Sequence, residues 1–498
     1  MESDDGEPGV VENAIRTYIR SGPEEGIPKI TRWLRGTAEE KKAATDLINR
    51  IGQFAYNNTG LGNSLSIEQM PNAREHYYES MRPQWQEALT NPSLVAALIE
   101  IVNDSESSSE LKANAINALG SMRSNNDEVV SLLYEILINS NRNARPSMRV
   151  AAAYALGNIG REHPAIGENI LPDLFTIVID DKSSEVRVVT AYALSEIGIY
   201  NYDAPIDINR HRIAYSLIEL FNAPSTGEDA DSISPEAQKA IILYTLGQFE
   251  VDDVRIAQAY ANGLQPGNPL AVQAVAAAYA RNLSLWNEAL ADSLLDALED
   301  PNIAVRYGAI ESIRQRQNGA LRGLNTLESI SQGQRDTPEE SNPKYIKLFV
   351  EALATVFWNE REYSFIRLAA GQALDDELNN PRDQATFEST LQGLGIDPNA
   401  QQFVDILTAL KNIEELSVNF RNRNSISGGS NAILHVLRSA DLITEFDSII
   451  SGHILLEILE SIRTDVDSLV AGGTVILGSG SQPICRIPGV RRIIPSCR

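Results

Sequence analysis

The sequence predicts an all-α protein, an α-solenoid of stacked helical hairpins with a helical C-terminal part that does not repeat. One helix is written twice, as MRVAAAYALGNIG at 148–160 and VRVVTAYALSEIG at 186–198, with eight identical positions. Apolar segments with the three- and four-residue spacing of an amphipathic helix precede many copies. The chain has 498 residues, whereas a single core rarely grows beyond about 250–300 residues.

Fainter copies of the repeated helix recur along the chain and define a period of about 30–40 residues, which is typical of solenoids. A short polar turn separates each copy from the apolar helix before it, so the predicted unit is helix, turn, helix. Gly160 and Gly198, at the ends of the two best copies, are predicted to be left-handed helix C-caps. The other copies start at residues 41, 111, 238, 272, 305 and 366.

The pattern divides the chain into four predicted parts. An N-terminal segment, 1–27, precedes the solenoid at 28–380, and a helical cap at 381–470 is followed by a flexible basic tail at 471–498. For the cap, a dimerising coiled-coil seam is the alternative, because apolar residues keep three- and four-residue spacings over nearly four heptads. Three insertions rich in turn-forming or charged residues are predicted to interrupt the solenoid, at 56–91, 222–236 and 318–345.

Several units carry an acidic residue in the turn and a basic residue early in the second helix. The pairs are Asp104 with Lys112, Asp181 with Arg187, and Asp300 with Arg306. This pattern resembles the HEAT-repeat family, and within it the short alanine-rich repeats of the phycobilisome-lyase type, over roughly residues 92–378. The resemblance implies that these side chains form a ladder along the turns. The unit at 252–283 departs from the pattern, because Gln273 or Ala274 stands where a base is expected.

The net charge of the chain limits the classes of molecule that we expect it to bind. The net charge is −25 and the pI is about 4.7, and a phosphate-binding face needs clustered basic residues, so we expect no nucleic-acid partner. The sequence lacks the run of about 18 apolar residues that a membrane span requires. The acidic start contains no apolar stretch, and the only cysteines are Cys485 and Cys497. These features predict a cytoplasmic protein without integral membrane association.

No catalytic, metal or cofactor motif emerges from the sequence. The five histidines do not pair at metal-ligand spacing, and HExxH, phosphate-loop and GxSxG patterns are missing. HEAT-type iron hydroxylases carry His-Glu pairs in that order, whereas this chain has the reverse order at Glu75-His76 and Glu162-His163. We therefore predict no catalytic residues, no bound metal and no cofactor.

Tyr154, Tyr192 and Tyr244 occupy the same place in three copies of the second helix. Each lies two residues from a leucine of the apolar stripe, about 200° around the helix. We predict that they form a ladder on the concave wall that contacts a protein partner. The alternative is that they pack between adjacent second helices.

The C-terminal tail is basic, whereas the rest of the chain is acidic. It contains Arg486, Arg491 and Arg492, lacks acidic side chains and is broken by prolines. We predict a docking peptide for an acidic partner or for the chain's own acidic surface. The alternative is a disordered end with two free thiols.

Together these observations predict a non-catalytic scaffold or adaptor that presents a concave solenoid surface to a protein partner. Self-association through the C-terminal helices stays open as an alternative contact. The resemblance also implies a second function, that of a bilin lyase or isomerase-type subunit acting on a chromophore-bearing protein. A HEAT-like DNA glycosylase is disfavoured by the acidic balance.

Overall fold

The computed structural model is helical throughout its described regular structure, which confirms the predicted all-α class. The chain divides into two compact units, Met1–Phe249 with Thr444–Glu460, and Glu250–Ile443 with Ser461–Arg498. The described residues are 21–56, 81–138, 144–200, 210–223, 233–249, 251–316, 320–321, 343–359, 361–378, 389–390 and 392–393.

Among the described residues of the first unit, five helical hairpins stack in chain order. The second helix of each hairpin packs on the second helix of the next, in the order α2, α4, α6, α8 and α10, and α1 packs on α3 and α7 on α9. This two-layer array is the predicted solenoid. The helices are α1 Pro23–Leu34, α2 Ala38–Tyr56, α3 Pro92–Asn103, α4 Ser109–Ser121, α5 Asp127–Ile138, α6 Pro146–Glu162, α7 Pro164–Asp180, α8 Ser184–Tyr200, α9 Arg210–Asn222 and α10 Pro235–Gln248.

The second helices approach each other so closely that glycine and alanine are required at the contact. A Cβ atom added to Gly120 of α4 would lie 2.4 Å from the Cα atom of Ala155 in α6. One added to Gly157 of α6 would lie 2.7 Å from the Cβ atom of Ala193 in α8. Real Cβ atoms do not approach other atoms this closely, so the small residues of the repeated helix set the spacing of the layer.

Gly160 and Gly198 are not helix C-caps, and that expectation is wrong. Helix α6 continues to Glu162 and α8 to Tyr200, and the described glycine with a positive φ is Gly22. Gly160 instead packs against Ile197, whose Cδ1 atom would lie 2.9 Å from an added Cβ. The glycine therefore serves the contact between hairpins and leaves the helix uninterrupted.

The second unit repeats the same two-layer arrangement. Helices α12, α14 and α16 pack in succession, and α11, α13 and α15 form the other layer. Gly308 of α14 again marks a close approach, since an added Cβ would lie 2.9 Å from the backbone nitrogen of Ala278. The helices are α11 Val254–Gly263, α12 Leu270–Tyr279, α13 Glu288–Ala297, α14 Ile303–Arg314, α15 Pro343–Trp358 and α16 Ser364–Leu378, and a 3-10 turn at Ala280–Asn282 follows α12.

Helical structure enters some segments expected to lie outside the repeats. Helix α1 begins at Pro23, and residues 81–89 within the predicted insertion 56–91 are helical, with Trp85 fully buried. The remaining domain predictions stay predictions. Most of the predicted cap and the whole tail, including Arg486, Arg491 and Arg492, lie outside the described residues.

An aromatic cluster in the second unit contains a tyrosine with a perturbed pKa. Phe349 lies between Trp286 and Tyr345, with ring centroids 6.1 Å from each. The Tyr345 hydroxyl donates a 3.0 Å hydrogen bond to Asp292. Burial of the phenol, followed by its bond to the Asp292 carboxylate, raises the pKa of Tyr345 above its ordinary value.

The raised pKa of Tyr345 predicts a loss of stability at alkaline pH. The folded chain keeps the phenolic proton where the unfolded chain has lost it, so the free energy of unfolding falls as pH rises past about 10. Tyr345→Phe removes this ionisation and should reduce the alkaline loss, at a cost of about 1 kcal/mol near pH 7. Urea unfolding measured over a pH series checks this, and an unchanged alkaline slope in the variant would contradict it.

Candidate binding surfaces of the repeat

The fourth residue of every described second helix carries a long side chain with N–H donors. This residue lies in the first turn of its helix, next in sequence to the turn that follows the preceding first helix. The last carbonyl groups of that helix have no partner within it, so they need donors from elsewhere. These residues are Lys41, Lys112, Arg149, Arg187 and Gln238 in the first unit, and Gln273, Arg306 and Arg367 in the second.

Three of the arginines bond the first helix of their own hairpin in the same way. Each Nε group donates to a backbone carbonyl near the end of the preceding helix, over 2.9–3.0 Å. Such side chains satisfy exposed carbonyl groups and oppose the negative end of the helix dipole. The pairs are Arg149 with Leu137, Arg187 with Val178, and Arg367 with Phe357.

The same guanidinium groups also connect consecutive hairpins. Arg149 forms a bidentate pair with Asp181, in the turn of the next hairpin, and each side chain is only 7% exposed. Arg306 bonds Glu362 over 2.8 Å, again in the following turn. At these two junctions the acid of one turn pairs with the base of the hairpin before it. Arg306 meets Asp300 only through its backbone carbonyl group, and a ladder along all the turns, including Asp104 with Lys112, stays a prediction.

Arg187 departs from this pairing. Its second contact is to the hydroxyl group of Ser216 in α9, so both of its hydrogen-bond partners are neutral oxygens. Asp181, which precedes it in the turn, is already held by Arg149. Among the described residues, Arg187 therefore contacts a serine hydroxyl group where Arg149 and Arg306 contact a carboxylate.

The structure also corrects the register of α10. Ser234 caps this helix by accepting from the backbone N–H of Ala237, which makes Gln238 the fourth helical residue. The Gln238 amide donates to the carbonyl of Ile233 over 3.0 Å. Lys239 is the fifth residue of the helix, one residue beyond this position.

In the repeat with Gln273, this side chain bonds the turn of its own hairpin. The Gln273 amide donates to the carbonyl of Asn268 over 2.6 Å. Glutamine can therefore replace the base where the hydrogen bond is made within the hairpin itself.

The three predicted tyrosines come together as a continuous series. The ring centroids of Tyr154 and Tyr192 are 6.1 Å apart, and those of Tyr192 and Tyr244 are 5.7 Å apart. Tyr154 and Tyr192 are each only 3% exposed, which matches the alternative that they pack between adjacent second helices. Tyr244 is half-buried. A role in partner binding stays a prediction for all three.

Tyr244 differs from the other two in its place along the helix. Tyr154 and Tyr192 are the ninth residues of their helices, whereas Tyr244 is the tenth. Its ring still continues the series beside Tyr192, in the last described second helix of the first unit. Its hydroxyl donates to Glu196 over 2.9 Å, and Arg161 bonds the other oxygen of Glu196 over 2.6 Å. A single carboxylate therefore joins α6, α8 and α10.

A basic cleft opens where the first turns of α8 and α10 meet the end of α9. Its volume is about 560 Å³. Lys182, Arg187 and Lys239 line it, and none of the described lining residues carries a carboxylate. Phe221 also lines the cleft, and the Lys239 ammonium lies 5.7 Å from the centre of its ring. The sequence gives no sign of this cleft, because alignment of the tyrosines puts Lys239 level with Arg149 and Arg187.

Histidine and acidic residues in the described part of the chain make structural contacts. His163 Nε2 donates to the carbonyl of Arg123 over 2.7 Å, and Glu162 lies 3.5 Å from the Arg123 guanidinium. Within the described ranges, no group of three or more His, Cys, Asp or Glu side chains is placed to hold a metal ion. Over the same ranges, no helix has the length and apolar character needed to cross a bilayer.

Comparisons with known proteins add little to this description. No family model and no curated protein matches the sequence. A solved structure of human deoxyhypusine hydroxylase in complex with glycerol aligns with 67% of this chain and 96% of its own, at 18% sequence identity and a TM-score of 0.22. A TM-score this low carries no argument about fold or function, so the fold rests on the packing of the chain's own helices.

Proposed function

We propose that the chain is a protein-binding scaffold built from HEAT-type repeats. The observation that carries this proposal is the continuous stacking of second helices α2, α4, α6, α8 and α10, which creates one long preformed surface in the first unit. A preformed surface binds without the entropic cost of ordering itself. The ladder between Arg149 and Asp181 supports the HEAT-type assignment, because it links turns of consecutive hairpins.

The partner contact is assigned to the half-exposed end of the tyrosine series. Tyr244 offers an aromatic ring and a hydroxyl group, the combination that is enriched in protein interfaces. Its position is held by the Tyr192 ring on one side and by Glu196 on the other. Arg486, Arg491 and Arg492 of the tail provide a second, basic contact in this proposal.

The test is affinity capture by the full chain, followed by mass identification and quantification of retained proteins. Tyr244→Ala should reduce retention of the principal partner at least about tenfold, as expected for an aromatic hot spot. Tyr134→Phe is the matched control, since it removes only a hydroxyl bonded to Asp173 within the first-helix layer. Equal retention by native and Tyr244→Ala chains would contradict the contact. Retention of a coloured chromophore in place of a protein would favour the bilin lyase alternative.

A further inference from the structure

We propose that the basic cleft binds a short acidic segment of the partner, with carboxylates against its cations and an apolar side chain against its apolar lining residues. The cleft lies entirely in the first unit and is formed by Lys182, the first turns of α8 and α10, and the end of α9. This inference rests on the proposed scaffold function and names the chemistry of the partner.

No carboxylate of the described residues bonds Arg187. Arg149 and Arg306 each bond an acid of the following turn, whereas the described contacts of Arg187 are the Val178 carbonyl and the Ser216 hydroxyl. Its positive charge is therefore left for a group outside the ladder. A carboxylate meeting a guanidinium forms one of the strong charge-assisted hydrogen bonds found in proteins.

Two more cations line the same cleft. Lys182 is exposed, and Lys239 is half-buried and outside the ladder register. Three like charges around one cleft repel each other, and an anionic ligand relieves that repulsion. This concentration of positive charge stands out on a chain whose net charge is −25, and it attracts acidic ligands while the rest of the surface repels them.

Apolar residues in the lining favour a peptide over a simple anion. Leu220, Phe221 and Pro235 line the cleft together with the three cations. The cleft volume of about 560 Å³ lies within the range of sites that hold whole ligands of drug size. A lone phosphate group would leave these apolar residues in contact with water, whereas a leucine flanked by carboxylates can contact both the apolar residues and the cations.

The test measures binding of a short fluorescent peptide of alternating glutamate and leucine to the full chain by anisotropy. Native protein should bind it, and Lys182→Glu/Lys239→Glu should weaken the affinity roughly tenfold or more. The control Lys29→Glu/Lys42→Glu makes the same change in net charge on exposed side chains outside the cleft, and it should bind like native protein. Added salt should weaken native binding more than binding by the cleft variant.

Several results would overturn the inference. They are equal affinity in the native and cleft variants, equal binding of a peptide with glutamine in place of glutamate, and no saturable binding up to roughly 1 mM. Inorganic pyrophosphate that binds the cleft more tightly than the peptide would identify a phosphate site instead. If charge reversal unfolds the chain, Lys182→Gln/Lys239→Gln gives the same comparison. Partner capture that survives the cleft variant but is lost in Tyr244→Ala would refute the cleft and leave the scaffold proposal intact.

Discussion

Gly120→Ala is expected to lower the free energy of unfolding by about 3 kcal/mol, at the upper end of the usual cost of overpacking. The same substitution inside an ordinary helix stabilises by about 1 kcal/mol, because alanine is the better helix former. Here the new Cβ would lie 2.4 Å from both the Cα and Cβ atoms of Ala155. Helices α4 and α6 must separate to admit it, so packing overrides propensity and reverses the sign.

Thermal and urea unfolding of the two chains measure this effect. Gly267→Ala is the control, since Gly267 lies in an exposed turn and an added Cβ would meet nothing within 4 Å. Its stability should change by no more than about 0.5 kcal/mol. An increase in stability for Gly120→Ala would show that the second helices are not in close contact, and the layer described for the first unit would be wrong.

Asp181→Ala should destabilise the chain by about 3–5 kcal/mol, the range expected when one partner of a buried ion pair is removed. The substitution leaves the Arg149 guanidinium, only 7% exposed, without its carboxylate. It also removes the acceptor for the backbone N–H of Ser183, which shapes the turn before α8. Both lost contacts lie at the junction between two hairpins.

The neighbouring residue supplies a matched control for this variant. Asp180→Ala removes an exposed carboxylate at the last residue of α7. A negative charge at a helix C-terminus is unfavourable, so its loss should leave stability unchanged or raise it by a few tenths of a kcal/mol. Similar destabilisation by both variants would show that the effect is general loss of charge and does not come from the Arg149 pair.

The predictable part of the fold follows from local periodicity. Apolar spacing and the repeated alanine-rich helix were enough to predict stacked hairpins, because a single hairpin cannot bury its apolar face alone. The identity of the glycine contacts was not predictable in the same way. In the sequence, Gly160 looks like the end of a helix. In the structure the helix continues past it, and the missing side chain leaves room for Ile197 of the next hairpin.

The candidate site depends on the helical register of α10, which the sequence alone does not show. Aligning the tyrosines placed Lys239 beside Arg149 and Arg187, whereas the Ser234 cap shows that Gln238 takes that position. A shift of one residue changes which face of α10 each side chain occupies. That shift places Gln238 at the turn and Lys239 at the cleft, and neither result follows from composition or spacing.

The most direct test of the account is hydrogen–deuterium exchange of the full chain, measured alone and with its captured partner bound. We expect added protection in α8 and α10, together with the turn before α8 that carries Lys182, because the proposed contacts converge there. Exchange in the first helices α1 and α3 should change little, which provides an internal reference. Unchanged exchange in α8, α10 and that turn while the partner is bound would contradict the claim that this stacked surface is the binding site.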